Sequence, residues 1–343
     1  MSPGKVLIVG NPSEGHVGSH LLAAAGEMNQ PVEFMNVLRA YEGSLLRRKW
    51  NWWVRGHRPA DLANFERELV ALCQRTKPAA LLVVGITPPG AATLRAIKAE
   101  GVACGNYLTD DPWNRHHHAP WFLDALPEYH HVFSPRRANL DELREHCRPA
   151  TGVSYLPFAY NPKSHFPTLT PPGEAADLAS DVLFAGGADQ DRLPWIHDLI
   201  HEGWKVALYG GYWKSDRVTR PHARGIAGME QLRRAVACAK VCLCLVRRAN
   251  RDGHAMRTFE LPAMGACLLV ERTLEHEALF GSDGEAVMYF DSRQELRSRV
   301  TLLLGDPKLR QSLAERCAQL IAHGAQTYAD RLRTMVDVLA EGA

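Results

Sequence analysis

No apolar run in this chain approaches the ~18 residues needed to span a bilayer. The stretch Val6 to Val9, after Met1-Ser2-Pro3-Gly4-Lys5, is too short for the core of an export signal. Membrane insertion and secretion are not expected, and the cytoplasm is the expected location. Charge of one sign is also lacking. Forty Lys and Arg stand against 38 Asp and Glu, a formal net charge of +2, so the electrostatic footprint of a nucleic-acid partner is missing. The eight cysteines are not clustered as metal ligands are. Cys242-Leu243-Cys244 alternates inside an apolar strand pattern and reads as core thiols, and Cys73, Cys104, Cys147, Cys238, Cys267 and Cys317 are scattered. That usage fits a reducing compartment. The G-x-S-x-G elbow, the P-loop and the H-E-x-x-H pair do not occur, which removes the signatures of hydrolase, kinase and zinc-protease chemistry. His116-His117-His118 does not repair the metal deficit. Three successive residues do not converge easily on one ion and no H-x-x-x-H partner is near, so no metal is expected.

What is present is a globular composition, 46% apolar and 23% charged over 343 residues, enough for two domains. Short apolar runs alternate with helical periodicity. Val6 to Val9, Val32 to Val37, Ala79 to Val84, Val102 to Leu108, Val132 to Pro135 and Val153 to Pro157 read as strands, with helices between them. The first strand runs into Gly10, Gly15 and Gly18, an α/β opening whose spacing is not that of a dinucleotide fingerprint. Phe158 to Leu178 is rich in Pro, Asn, Thr and Gly and reads as a linker. The alternation then restarts, with Asp181 to Ala185 entering Gly186-Gly187, and Lys205 to Tyr209 entering Gly210-Gly211. The expected fold class is α/β. An N-terminal domain spans 1–160, a Pro-rich linker 161–180 and a second α/β domain 181–325. A final helix in 326–343 is expected to return to the first domain. A ligand cleft is expected between the domains.

The stretch Gly253 to Ala266 organises the second half. It reads as a loop opening a short helix that ends at Gly265. Gly253 and His254 leave backbone N–H groups free, and Arg257 and Glu260 share one helix face. Such a place suits phosphate or sugar hydroxyls; the alternative is a buried helix with a surface ion pair. In the first half, Asp110-Asp111 ends a strand, where α/β sheets gather ligands. It reads either as paired acids, one of them a general base on an acceptor hydroxyl or both metal ligands, or as a turn capped by Asp110 and closed by Pro112. His16, in the first glycine loop, is a candidate base or phosphate contact, or else a surface histidine. Between Arg47 and Arg58, basic residues interleave with Trp50, Trp52 and Trp53. The favoured expectation is an amphipathic helix whose tryptophans pack on the domain; the alternative is a patch for a membrane surface or a polyanion.

Arg257-Thr258-Phe259-Glu260-Leu261-Pro262-Ala263-Met264-Gly265 resembles the R-x-F-E-x-x-A-x-G element of the glycosyltransferases related to the spore-maturation CgeB proteins, a group akin to glycosyltransferase family 4. Glu285-Ala286-Val287-Met288-Tyr289-Phe290-Asp291, Asp306-Pro307-Lys308-Leu309-Arg310, and Asp181 to Gly186 with Arg192 are similar to further elements of that group. The resemblance covers about residues 100–335. It implies two Rossmann-like domains in the GT-B arrangement, the first on the acceptor side and the second holding the donor. The implied activity is transfer of a sugar from a nucleotide-diphosphate sugar, a UDP-sugar foremost, with retention and without a metal or bound cofactor. Glu260 would hold the donor ribose. Asp252, eight residues earlier, would touch the sugar, although the pattern there usually has glutamate. Gly253 and His254 would offer backbone amides. Arg192 and Arg257 would neutralise the diphosphate, with Gly186, Gly187, Tyr209 and Gly210 around it. The acceptor, whether glycan, protein, lipid or small molecule, is not identified. An epimerase acting on a nucleotide sugar and a non-catalytic nucleotide-sugar or glycan-binding protein remain the alternatives.

Overall fold

The computed structural model describes residues 4–342. Runs of β-branched and leucyl residues become parallel strands because both faces of such a sheet are covered, so no polar alternation is needed. In the first unit, β1 (Val6–Gly10), β2 (Val32–Asn36), β3 (Ala80–Val84), β4 (Ala103–Tyr107), β5 (His131–Ser134) and β6 (Gly152–Tyr155) form one sheet in the order β2-β1-β3-β4-β5-β6. Every pairing is parallel, with Leu7 beside Glu33 and Leu81, and Asn106 beside Val132. Leu7, Leu81, Phe65, Leu126 and Val132 lie in its core.

The first unit comprises residues 1–157, 249–251 and 328–343. Its last helix, Tyr328–Glu341, packs on the helix Val17–Glu27 and on β4. There His20 stacks on Tyr328, ring centres 5.0 Å apart. Gly105 makes room for Leu339, whose Cδ1 would lie 2.9 Å from a Cβ added at that glycine.

The second unit holds 158–248 and 252–327. Its strands are β7 (Ser180–Ala185), β8 (Val206–Tyr209), β9 (Ala223–Gly225), β10 (Ala239–Cys244), β11 (Leu268–Glu271) and β12 (Met288–Phe290), all parallel in the order β12-β11-β10-β7-β8-β9. Val182, Leu208, Trp213, Val241, Leu269 and Phe290 lie in the core. Cys242 and Cys244 are buried free thiols, and burial pushes the Cys244 thiol up to about 11.

The Pro-rich stretch contains a helix, Pro172–Leu178, begun by Pro172 at its first position and Glu174 in its first turn, both favourable there. One segment differs from expectation. The helix Leu45–Val54 forms as expected, but it buries Asn51 and leaves Leu45, Leu46, Trp50, Trp52, Trp53 and Val54 exposed. The tryptophans therefore do not pack into the domain. The average burial of tryptophan says nothing of which way one helix is turned. No helix among the described residues is long and apolar enough to cross a membrane.

Candidate functional site

Strand β7 ends at Ala185 and releases the chain into Gly186-Gly187. This turn is built against the end of β8. Gly186 N–H donates to the Tyr209 carbonyl at 2.8 Å, and the Ala188 N–H to that of Gly211 at 3.0 Å. Trp213 Nε1 donates to the Gly186 carbonyl at 2.8 Å. Gly210 has φ +137°, and a Cβ there would stand 2.3 Å from the Gly186 oxygen. Both the left-handed backbone and the close approach of two chains demand glycine. Tyr209 is buried, which raises its phenol above the usual value.

Two guanidiniums are anchored on this turn. Arg192 donates from Nη1 to the Gly187 carbonyl at 3.1 Å and from Nη2 to the Leu245 carbonyl at 3.3 Å. Asp189 Oδ2 lies 3.4 Å from Nη1. Burial holds the Arg192 guanidinium below its usual value, while Asp189 and the nearby Asp252 carboxylate support its charge. Its Nε–H is buried without a hydrogen-bond partner among the described residues. Arg257 begins the helix Arg257–Ala263 and donates from Nε to the Ala185 carbonyl at 3.3 Å. Carbonyls 185 and 187, on either side of Gly186, thus each hold an arginine.

Glu260, on the same helix, is fully buried and accepts from Arg257 Nη1. The expected shared face is therefore real, but the pair is not a surface one. The other carboxylate oxygen faces His165 Nε2 at 3.6 Å. His165 Nδ1 accepts the Asn161 N–H at 2.9 Å, which places the neutral ring's proton on Nε2, toward the carboxylate. Burial lowers the His165 imidazolium, against the raising influence of Glu260.

The loop before the helix is fixed by side chains. His254 Nε2 accepts the Phe158 N–H at 3.2 Å, so the proton lies on Nδ1, which meets Glu275 Oε2 at 2.6 Å. Thr273 Oγ1 donates to the Gly253 carbonyl at 2.5 Å. A Cβ on Gly253 would lie 2.3 Å from Glu275 Cδ, so the acid occupies the space a side chain would need. Behind it, His276 Nδ1 donates to the Glu271 carbonyl at 2.8 Å, which makes Nε2 the acceptor for the Thr258 hydroxyl at 3.0 Å. Thr258 Oγ1 in turn accepts the Ala255 N–H at 3.0 Å. Every member of this network has an assigned donor or acceptor role, the condition under which buried polar groups rigidify rather than destabilise. His254 thus acts through its ring as a structural strut, a part its backbone reading did not foresee. His165, Glu275 and His276 carried no motif at all, and Thr258 stood at an unspecified position of one.

In the first unit, Asp111 is buried and held by three hydrogen bonds: from the Trp113 N–H at 2.9 Å, Arg251 Nε at 2.6 Å and Arg251 Nη2 at 3.1 Å. Arg251 also donates to both oxygens of Glu142, at 2.9 and 2.6 Å. Arg251 has φ +52°, a left-handed conformation costing ~1–2 kcal/mol outside glycine, and these bonds offset that cost. The side chain that caps this turn is therefore Asp111 and not the expected Asp110. Asp110 is less committed: Oδ1 accepts Asn250 Nδ2 at 3.1 Å, and His117 Nε2 lies 3.7 Å away. His16 is exposed at the start of the helix Val17–Glu27, where its side chain makes no capping bond.

The second of the two parallel α/β units thus sets paired arginines and a buried acid at a glycine turn. Residues 192–337 match the model of a family described as glycosyl transferase-like. No curated protein sequence matches the chain. Among solved structures, the sucrose-phosphate synthase from Thermosynechococcus elongatus aligns over 99% of this chain and 100% of its own, with TM-score 0.69 and 10% identity. A trehalose-6-phosphate synthase studied for glycosyl transfer with retention aligns over 98% and 99%, with TM-score 0.62 and 12% identity. Anabaena HepE in complex with UDP aligns over 98% and 100%, with TM-score 0.60 and 13% identity. At such identities these likenesses establish the fold, which is GT-B. With the family match over residues 192–337 they support a glycosyltransferase enzyme.

Proposed function

We propose that the protein transfers a sugar from a nucleotide-diphosphate sugar, a UDP-sugar foremost, to a sugar-bearing acceptor, with retention and without a metal. The CgeB-related group is the proposed subgroup. The observation that carries the reading is the pair of arginines on one glycine turn, Arg192 on the Gly187 carbonyl and Arg257 on the Ala185 carbonyl. Guanidiniums stay charged and bind phosphate oxygens bidentately. Fixed positive charge at a leaving diphosphate is usually the largest catalytic contribution in such a transfer. The orphaned Arg192 Nε–H gains an acceptor if a phosphate oxygen binds there.

On this reading the second unit holds the donor and the first serves the acceptor. Gly186, Gly187 and Gly210 let the diphosphate approach the backbone, and Tyr209 closes that strand end. The phosphate competes with Glu260 for Arg257, which frees the carboxylate for the ribose hydroxyls. Asp252 is assigned to the transferred sugar, and Gly253 and His254 contribute backbone amides. Asp110 or His16 serves the acceptor hydroxyl. The eight unpaired thiols favour the cytoplasm.

The test is release of free nucleoside diphosphate from a panel of UDP-, GDP-, ADP- and dTDP-sugars. Release that requires a sugar acceptor supports transfer. Conversion of the donor with no acceptor, or binding without turnover of any donor, would overturn it in favour of an epimerase or a binding protein.

A further inference from the structure

The helix Leu45–Val54 is turned inside out. Asn51 is its buried residue, at 5% exposure, while Leu46 is 83% exposed, Trp50 61% and Trp53 78%. Leu46, Trp50 and Trp53 are spaced i, i+4 and i+7, so they form one ridge, directed away from Asn51. Leu45 and Val54 extend the apolar surface at either end of the helix. An exposed apolar ridge of this kind marks an interaction surface rather than ordinary surface scatter.

Cations surround the ridge. Arg47, Arg48, Lys49, Arg55 and Arg58 are exposed, and no Asp or Glu occurs from Gly43 to Ala60. None of the five makes an ion pair among the described residues. Beside the helix a cavity of about 320 Å³ is lined by Tyr41, Arg48, Lys49, Trp52, Trp53 and Arg58, among others. Its lining thus includes three aromatic and three cationic side chains.

We propose that this helix docks on an anionic lipid bilayer. Leu46, Trp50 and Trp53 would enter the headgroup–acyl boundary, the five cations would meet acidic headgroups, and the cavity would admit one headgroup phosphate. A soluble polyanion would satisfy the cations but leave the leucines and tryptophans in water. A lipid surface takes both, because tryptophan's amphipathic ring prefers that boundary and interfacial helices combine an apolar face with flanking Lys and Arg. The proposal is independent of the glycosyl-transfer reading and needs no donor or acceptor.

The experiment is co-sedimentation of the full chain with vesicles of phosphatidylcholine alone and of phosphatidylcholine mixed with phosphatidylglycerol. Two variants are compared, W50S/W53S and R47Q/R48Q/K49Q, with thermal melting and heparin affinity measured on each. The expected result is binding to the anionic vesicles only. Each removed cation weakens it roughly fivefold, and W50S/W53S weakens it at least about tenfold with the melting temperature unchanged. Three outcomes overturn the proposal. One is absence of binding to anionic vesicles, and another is equal binding to neutral ones. The third is vesicle binding that W50S/W53S leaves intact and that tracks heparin affinity, which assigns the patch to soluble polyanions.

Discussion

His254 gives its Nδ1 proton to Glu275 across 2.6 Å, while its Nε2 receives the Phe158 N–H. This one ring thereby fixes its tautomer, binds the loop Gly253–Met256 to the helix Leu274–Phe280, and sets where Arg257 begins its own helix. Replacing Glu275 by alanine leaves a buried imidazole N–H unpaired, at a cost of about 1–3 kcal/mol. The melting temperature is expected to fall, and nucleotide affinity with it. A Glu275→Ala protein that melts at the native temperature would remove the strut from the account.

The contact of Gly210 with Gly186 predicts an asymmetry among glycines. Both Gly210 and Gly203 have positive φ, +137° and +83°, but a Cβ at Gly210 meets backbone at 2.3 Å and one at Gly203 meets nothing within 4 Å. Gly203→Ala costs about 1–2 kcal/mol of backbone strain alone. Gly210→Ala must also part the two glycine turns and is expected to abolish nucleotide binding in any protein that folds. Calorimetric titration with UDP on both variants checks this; equal affinities would contradict it.

His276 predicts an acid limb. Burial holds its imidazole at about 3 against an ordinary value of 6.5. Between those values the unfolded chain binds a proton that the folded chain refuses, so unfolding gains as pH falls. The stability from keeping the ring neutral is complete above about pH 6.5 and is lost as pH drops toward 3. Melting temperature against pH is expected to slope less in His276→Gln than in the native protein. Parallel curves would assign the acid sensitivity to other groups, such as Asp198, whose carboxyl Arg293 holds low.

Asp110 and Asp111 are expected to part company. Asp111→Asn loses its charge partner in Arg251 and should lower the melting temperature, because removing one member of a buried ion pair costs up to about 3–5 kcal/mol. Asp110→Asn, whose carboxylate is partly exposed, should melt normally and lose turnover. Normal melting in Asp111→Asn together with lost turnover would return the acid role to Asp111.

The architecture was legible because buried parallel strands are written as short apolar runs. Val6 to Val9 and Asp181 to Ala185 were recognisable, and each did enter a glycine turn. The Arg257 and Glu260 spacing put both on one helix face, as the helix period requires. The partners that fix the loop were illegible for a physical reason. Phe158 and His254 are 96 residues apart, and no local pattern announces a hydrogen bond between a backbone amide and a distant imidazole. The helix Leu45–Val54 misled because composition shows amphipathicity but not orientation. Only the burial of Asn51 reveals that the apolar side faces outward.

Arg192 and Arg257, held on one glycine turn, are proposed to form a nucleoside-diphosphate site with Glu260 beside it. Calorimetric titration of UDP into the native protein, Arg257→Ala and Glu260→Gln tests it most directly. Measurable binding to the native protein is expected, weakened by about tenfold or more in Arg257→Ala through loss of a charge-assisted phosphate contact. A smaller loss is expected in Glu260→Gln, which keeps one acceptor oxygen for the ribose. Binding of UDP that neither substitution alters, or no binding of any nucleoside diphosphate to the native protein, would contradict it.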